Sequence, residues 1–370
     1  MNLTEKQFLS LLRSGLTGTE PDTALFAGAV GWEDIYRLAD EQTVVPVVTD
    51  GIDLLPSALK PGIEILEPFL ADTLATEMRN DTVNRFAGAL FRKLNSTGMP
   101  ALMVKGQGLA RLYPQPGHRQ PGDIDILVRP EDYPAVRDLL VAKASVADQE
   151  HAEILHQGMS FGSIEVEVHG TISTLMSVRL DRKLAALQEE MFRSEAFTSE
   201  DFGGVTVRMP SVLFNAVYIL IHFLHHYWSG GVGLRQLTDW GLYVNRHFDE
   251  IDAGRLEGVL RDLGVLRLWQ TFSGLSTTVL GTDKDRFPLW TDRYHRKYEG
   301  ILRYMLKCGN FGMNHPREAV ERPYLLRKLH SFWRLVVADR LRHFPEFPAE
   351  SIRYFTGAFH YGLIRLAEGE

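Results

Sequence analysis

The chain has 370 residues, 45% of them apolar, with 40 Lys plus Arg against 47 Asp plus Glu and a net charge of −7. That balance argues against a bulk nucleic-acid surface, which needs concentrated positive charge to neutralise phosphates. The single cysteine, Cys308, excludes an intrachain disulfide and any cysteine-rich zinc or iron–sulfur site.

Residues 1–73 read as an N-terminal helical region. Phe8, Leu11 and Leu12, then Trp32, Ile35, Tyr36 and Leu38, recur at three-to-four spacing, with Pro46, Pro56 and Pro61 as punctuation. The first residues lack the basic, apolar and small-residue regions of a signal peptide, so a cytoplasmic location is expected. A longer helix follows, with Leu74, Met78, Val83, Phe86, Leu90 and Leu94 expected along its buried face and Gly98 as its stop.

Within residues 74–210 the texture changes to that of a sheet-bearing core. Ala101–Val104 reads as a buried strand, Lys105-Gly106 as a turn and residues 107–113 as a short helix. Residues 114–122 hold three prolines and two glycines and lead irregularly into a second strand at 123–128, with a helix expected over 131–144. Residues 154–161 and 164–169 alternate like strands around Gly162-Ser163, a dipeptide suited to a two-residue hairpin turn with glycine first.

Residues 211–370 read as a helical domain broken at Gly230-Gly231, near Gly281, at 309–316, and around Pro345 and Pro348. Its most apolar segment, 212–224, is interrupted by Asn215 and His222 and is shorter than the roughly 20 residues that span a bilayer. It is expected to be a buried helix, and no membrane partner is expected. The fold class is thus α+β: a small mixed sheet enclosed by helices from both ends of the chain.

The candidate chemistry lies on two strands. A strand period of two puts Asp123 and Asp125 on one face, expected to be wet, and Ile124 and Ile126 on the other. Two carboxylates that close repel, and a hard dication, Mg2+ or Mn2+, is their natural neutralising partner. The strand at 164–169 presents Glu165, Glu167 and His169 on one face, so a third carboxylate is available if the strands are neighbours. The segment Lys105-Gly106-Gln107-Gly108 runs from strand to helix and offers backbone N–H groups and a lysine to an anion.

Together, Val104-Lys-Gly106, the segment from Tyr113-Pro to Arg119, Gly122-Asp-Ile-Asp-Ile-Leu-Val128 and Val166-Glu-Val-His169 resemble the bacterial uncharacterised nucleotidyltransferase family of the polymerase-β-like superfamily. The resemblance continues through His222, His225-His226, Gly231 to Gly233 and Leu234-Arg235-Gln-Leu-Thr-Asp239-Trp240.

The resemblance implies that Asp123 and Asp125 bind the metals and that Glu167 completes the catalytic set, with Glu165 as a rival two residues earlier. It places Lys105, Gly106, Gln107, Arg119, Gly122, His169 and Arg235 around the nucleotide. Superfamily members commonly carry Gly-Ser at the phosphate corner; here Gln107 or the backbone has to substitute for that hydroxyl. Arg235 and Asp239, four apart on a helix, either form an ion pair or direct Arg235 into the cleft. His222, His225 and His226 are expected to be packed or hydrogen-bonded core residues rather than metal ligands.

The implied reaction moves a nucleoside monophosphate, AMP being the expected one, from a triphosphate to a small-molecule or protein acceptor with release of pyrophosphate. The alternative is a catalytically silent nucleotide-binding or interaction module on the same fold.

Overall fold

A computed structural model describes residues 1–312 and 341–368. Helix α1 (Leu3–Thr17) is fixed at both ends: Asn2 and Glu5 form a capping box, and Gly18 closes it in the left-handed conformation. Helices α2 (Trp32–Glu41) and α3 (Val45–Asp53) follow, the latter opened by Pro46 in its first turn. α1 and α3 cross through Gly15 and Gly51, where added Cβ atoms would lie 1.9 Å from the Val47 carbonyl oxygen and 2.0 Å from that of Leu11.

Helix α4 (Ile63–Asn95) is 33 residues long and joins this region to the sheet. Its buried face departs from the expected one. Val83, Leu90 and Leu94 are buried, but Leu74 and Met78 are 60% and 71% exposed. The inward line over that stretch runs instead through Phe69, Thr73, Thr76 and Asn80. The reason lies in what the facing segment needs: the Asn80 amide donates to the carbonyls of Gly117 and Arg119 at 2.7 and 2.9 Å. The irregular, proline-rich backbone there has no sheet or helix partner and takes one from α4.

The sheet has seven strands in the order β3-β4-β5-β2-β1-β7-β6. These are β1 (Ala101–Val104), β2 (Ile124–Val128), β3 (Val146–Ala147), β4 (His156–Phe161), β5 (Ile164–His169), β6 (Thr198–Asp201) and β7 (Thr206–Met209). β2 runs antiparallel to β1 and parallel to β5, and β7 lies parallel to β1, so the sheet is mixed. The β4–β5 hairpin turns at Gly162, whose φ of 63° matches a glycine-first turn. The β6–β7 hairpin was not expected from the sequence; its signals are Gly203 and Gly204, both at positive φ, and the alternation of Val207 and Met209 inward.

Between the strands lie α5 (Gly106–Ala110), α6 (Tyr133–Val141) and α7 (Val178–Ser194). One face of the sheet, including Met103, Ile124, Ile126, Val128, Val166 and Val168, packs against α4 and α6. The other face turns Leu102, Val104 and Leu127 toward a second, larger core. That core is shared by α1–α3 and by the helices after residue 210: α8 (Val212–Trp228), α9 (Leu234–Arg246), α10 (Ala253–Leu263), α11 (Leu266–Leu280) and α12 (Tyr298–Cys308). The last described helix is Pro348–Glu368. Most of the break expected at 309–316, and the helix expected beyond it, lie outside the described residues. Among the described residues no helix is long and apolar enough to cross a membrane.

His118 ties the irregular segment to two helices, with Nδ1 2.8 Å from Asp50 of α3 and Nε2 3.0 Å from Glu77 of α4. The Asp50 hydrogen bond is the main cause that raises the imidazole above its ordinary value, with Glu77 adding to it. A raised native value means that this stabilisation is complete below about pH 6.5 and is lost as pH rises through the native value. The wild type should therefore melt above His118→Gln at pH 6, and the gap should narrow by pH 9 in paired melting curves.

Gly51→Ala should lower the melting temperature. Overpacking of about 1–3 kcal/mol exceeds most of the ~1 kcal/mol gain in helix propensity. Gly258→Ala, on α10 with open space around the new methyl, should raise it; equal melting of the two variants would count against the close crossing.

Candidate active site

β2 is the central strand, buried along its whole length, and in register Asp125 stands beside Glu167 of β5 and Val104 of β1. Asp123 immediately precedes β2. Carboxylate oxygens of Asp123, Asp125 and Glu167 all lie within 4.8 Å of one another. Glu165, exposed on β5 between buried Ile164 and Val166 and opposite Ser160, does not line the cleft that these three share. The three carboxylates open into a cleft of about 370 Å³ between the sheet and helix α8, with α9 at one side.

Asp125 is only 1% exposed, which corrects the expectation of two carboxylates on a wet face. A buried carboxylate needs partners. Asp125 Oδ1 has two: Lys105 Nζ at 2.9 Å and His169 Nε2 at 3.0 Å. Lys105 reaches it from the end of β1, where its own φ is 58°, a conformation that L-residues rarely adopt. Gly106 follows at φ 49° and a Cβ there would sit 3.2 Å from the Asp123 carbonyl.

The electrostatics follow from this crowding. Repulsion from Asp125, then burial, pushes the Asp123 carboxyl up to about 6. Burial opposes the Lys105 charge, yet Asp125, with smaller contributions from Tyr218, Asp123 and Glu167, holds the ammonium above the ordinary lysine value. His169 also resists its burial and is raised to about 9 by Asp125 and Glu167. Against burial, His156 and His169 hold the Glu167 carboxyl well below the usual range. Asp123 thus remains short of positive charge although Lys105 is close. An oxygen-only donor set with surplus negative charge fits a hard dication such as Mg2+ or Mn2+.

On the far wall, Arg119 donates from Nε and Nη2 to the two oxygens of Asp239, both at 2.8 Å, and Tyr113 Oη donates to the same carboxylate at 2.8 Å. Arg119 is 3% exposed, so its fork is largely spent on Asp239. Arg235 lines the cleft with a looser arrangement: Nε donates to Thr43 at 3.1 Å and Nη1 is 3.9 Å from Asp239. Burial, then the neighbouring Arg119, lowers its guanidinium below the ordinary arginine value. Two guanidiniums share one carboxylate, so this wall carries net positive charge opposite the acids.

Of the sequence-derived candidates, Asp123, Asp125, Glu167, Lys105, Gly106, Arg119, Gly122, His169 and Arg235 all border the cleft. The Gln107 side chain does not: its amide nitrogen donates to Asn80 and Asn84 of α4 at 3.0 and 2.8 Å. Its side chain is thus held away from the cleft that the corner borders. α5 is only five residues long, so its dipole adds little and Lys105 supplies the charge.

The histidines of α8 differ from expectation. His222 and His226 are hydrogen-bonded and neutral, burial and then neighbouring cations lowering both well below the ordinary value, but they line the cleft rather than the core. Lys105 donates to His222 Nδ1 at 3.2 Å. Sequence reasoning missed His156, which sits beside Glu167 at 3.2 Å. Its signal was the hairpin register, which pairs it with His169.

A comparison with curated proteins gives no match. Among solved structures, an antigenic nucleotidyltransferase-like protein from Paracoccidioides brasiliensis aligns over 55% of this chain and 94% of its own, at 12% identity and a TM-score of 0.34. The profile of a family of uncharacterised nucleotidyltransferases matches residues 28–281, from before α2 to the end of α11 and so across the sheet and both walls of the cleft. The chain belongs to that family of uncharacterised nucleotidyltransferases.

Proposed function

We propose that the protein transfers a nucleoside monophosphate from a nucleoside triphosphate to an acceptor, with the three-carboxylate cleft as its active site. The observation that carries this is the convergence of Asp123, Asp125 and Glu167 within 4.8 Å, facing a cationic wall that carries Arg235. In this reading the acceptor oxygen forms a bond to the α-phosphorus as the bond to the bridging oxygen breaks. Pyrophosphate leaves with that electron pair and the acceptor's proton passes to solvent.

Asp123, Asp125 and Glu167 would hold Mg2+ or Mn2+, which when bound supplies charge neutralisation for the attacking and leaving oxygens. Lys105 and Arg235 bind and orient the triphosphate, and the buried Arg119–Asp239 pair holds Arg235 in place. Glu167 is better suited to hold charge than to accept a proton, because His156 and His169 make it a weak base. The polymerase-β-like architecture is the superfamily version of this reading. ATP is the first donor to test. The acidic overall charge favours a cationic small molecule as acceptor over RNA or DNA.

The test separates Asp123 from Asp125. Asp123→Asn removes a repelled acid, so the metal-free protein should melt at or above the wild-type temperature. Its pyrophosphate release with Mg2+ and a triphosphate panel should fall by at least about a hundredfold. Asp125→Asn should lose activity too but also stability, on the order of 3 kcal/mol, because it leaves the buried Lys105 ammonium without its carboxylate. Undiminished transfer by folded Asp123→Asn would overturn the proposal.

A further inference from the structure

We propose that His156, His169 and Glu167 form a second cation site, open on one side to the cleft and suited to a transition-metal dication such as Zn2+, Mn2+ or Co2+. It adjoins the carboxylate group and shares Glu167 with it, but its chemistry is different. Two imidazole nitrogens and one carboxylate oxygen are a borderline donor set, whereas three carboxylates are a hard one.

The geometry comes from the sheet. His156 and His169 are direct partners in the antiparallel β4–β5 register, and Glu167 lies two residues before His169 on the same face. One ligand atom from each of the three residues lies within 4.8 Å of the others. Glu167 Oε2 is 3.2 Å from His156 Nε2 and 3.3 Å from His169 Nε2. Charge-assisted N–H···O bonds close to about 2.7–2.9 Å. Two ligands about 2.05 Å from one tetrahedral ion stand roughly 3.3 Å apart. The spacing is also that of co-ligands; on binding, His169 Nε2 would give up its proton and exchange its contact to Asp125 Oδ1, at 3.0 Å, for the ion.

The set is also held in advance. His156 opens β4, where its backbone exchanges two hydrogen bonds with His151 at 2.9 and 3.2 Å, and the two rings stack. Both ligating histidines line the cleft, so a fourth position faces its open space. Three protein ligands and an open position are the arrangement of an ion that takes part in chemistry rather than one that only supports the fold.

The proposal rests on the carboxylate–histidine geometry and not on nucleotidyl transfer, so its failure is separable from that of the active-site reading. Cobalt(II) is titrated without nucleotide at pH 8 into wild type, His156→Gln and Asp123→Asn, following the visible ligand-field bands. Wild type and Asp123→Asn should show the intense bands of low-coordinate, nitrogen-bound cobalt. His156→Gln should need at least about tenfold more metal to reach half-saturation. Equal titration of His156→Gln and wild type, or absence of those bands from folded wild type, overturns the site.

Should His156→Gln melt below the wild type, a wild-type thermal shift decides. Zn2+ should raise the melting temperature at concentrations where Mg2+ has no effect, and identical responses to the two ions would count against the proposal.

Discussion

The burial of one carboxylate, Asp125, near the start of the central strand is the constraint on which the candidate site depends. An isolated carboxylate in that position would cost several kcal/mol, so the fold has to bring cations to it. Lys105 arrives from the end of β1 only because the backbone accepts a positive φ there, and His169 arrives because β5 lies parallel to β2 in the one register that sets Glu167 beside Asp125. A slip of a single residue along β5 would turn Glu167 and His169 to the opposite face. The apolar residues Val166 and Val168, buried against α4 and α6, therefore determine which polar side chains line the cleft on the other side.

A second buried ion group performs the same task on the opposite wall. Asp239 of α9 takes the fork of Arg119 and the hydroxyl of Tyr113, and so ties the irregular segment between α5 and β2 to the helical body. Asn80 pins that segment from α4 through two of its carbonyls. Pairs of this kind contribute little net stability but are costly to break, and they fix the separation of the two walls of the cleft.

The placement of the candidate site was legible where its residues follow one another on a strand. A period of two put Asp123 with Asp125 and Glu167 with His169, and an apolar alternation showed which side was core. Less legible was whatever depends on a distant partner. Nothing local to Asp125 shows that β2 is flanked on both sides, which is why its carboxylate read as wet. Leu74 and Met78 read as core because their apolar character was weighed against spacing alone, whereas the inner face of α4 is chosen by the hydrogen-bonding needs of residues 117–119. Gln107 read as a phosphate ligand because Asn80 and Asn84, its actual partners, lie more than twenty residues earlier. The β6–β7 hairpin was hidden by its short, charged outer strand.

The shared core of the first and last helices has a consequence for how the chain comes together. Arg13 on α1 donates to the carbonyl of Val279 at the end of α11, 266 residues further on. Contacts of such separation are closed late and at a high entropic cost. During synthesis the sheet and α4 can collapse on their own apolar face while α1–α3 still await the helices that will cover them. The acid cluster would then exist before α8 and α9 roof it. Until those helices are made, the leucines and valines of α1–α3 that face them have no cover of their own.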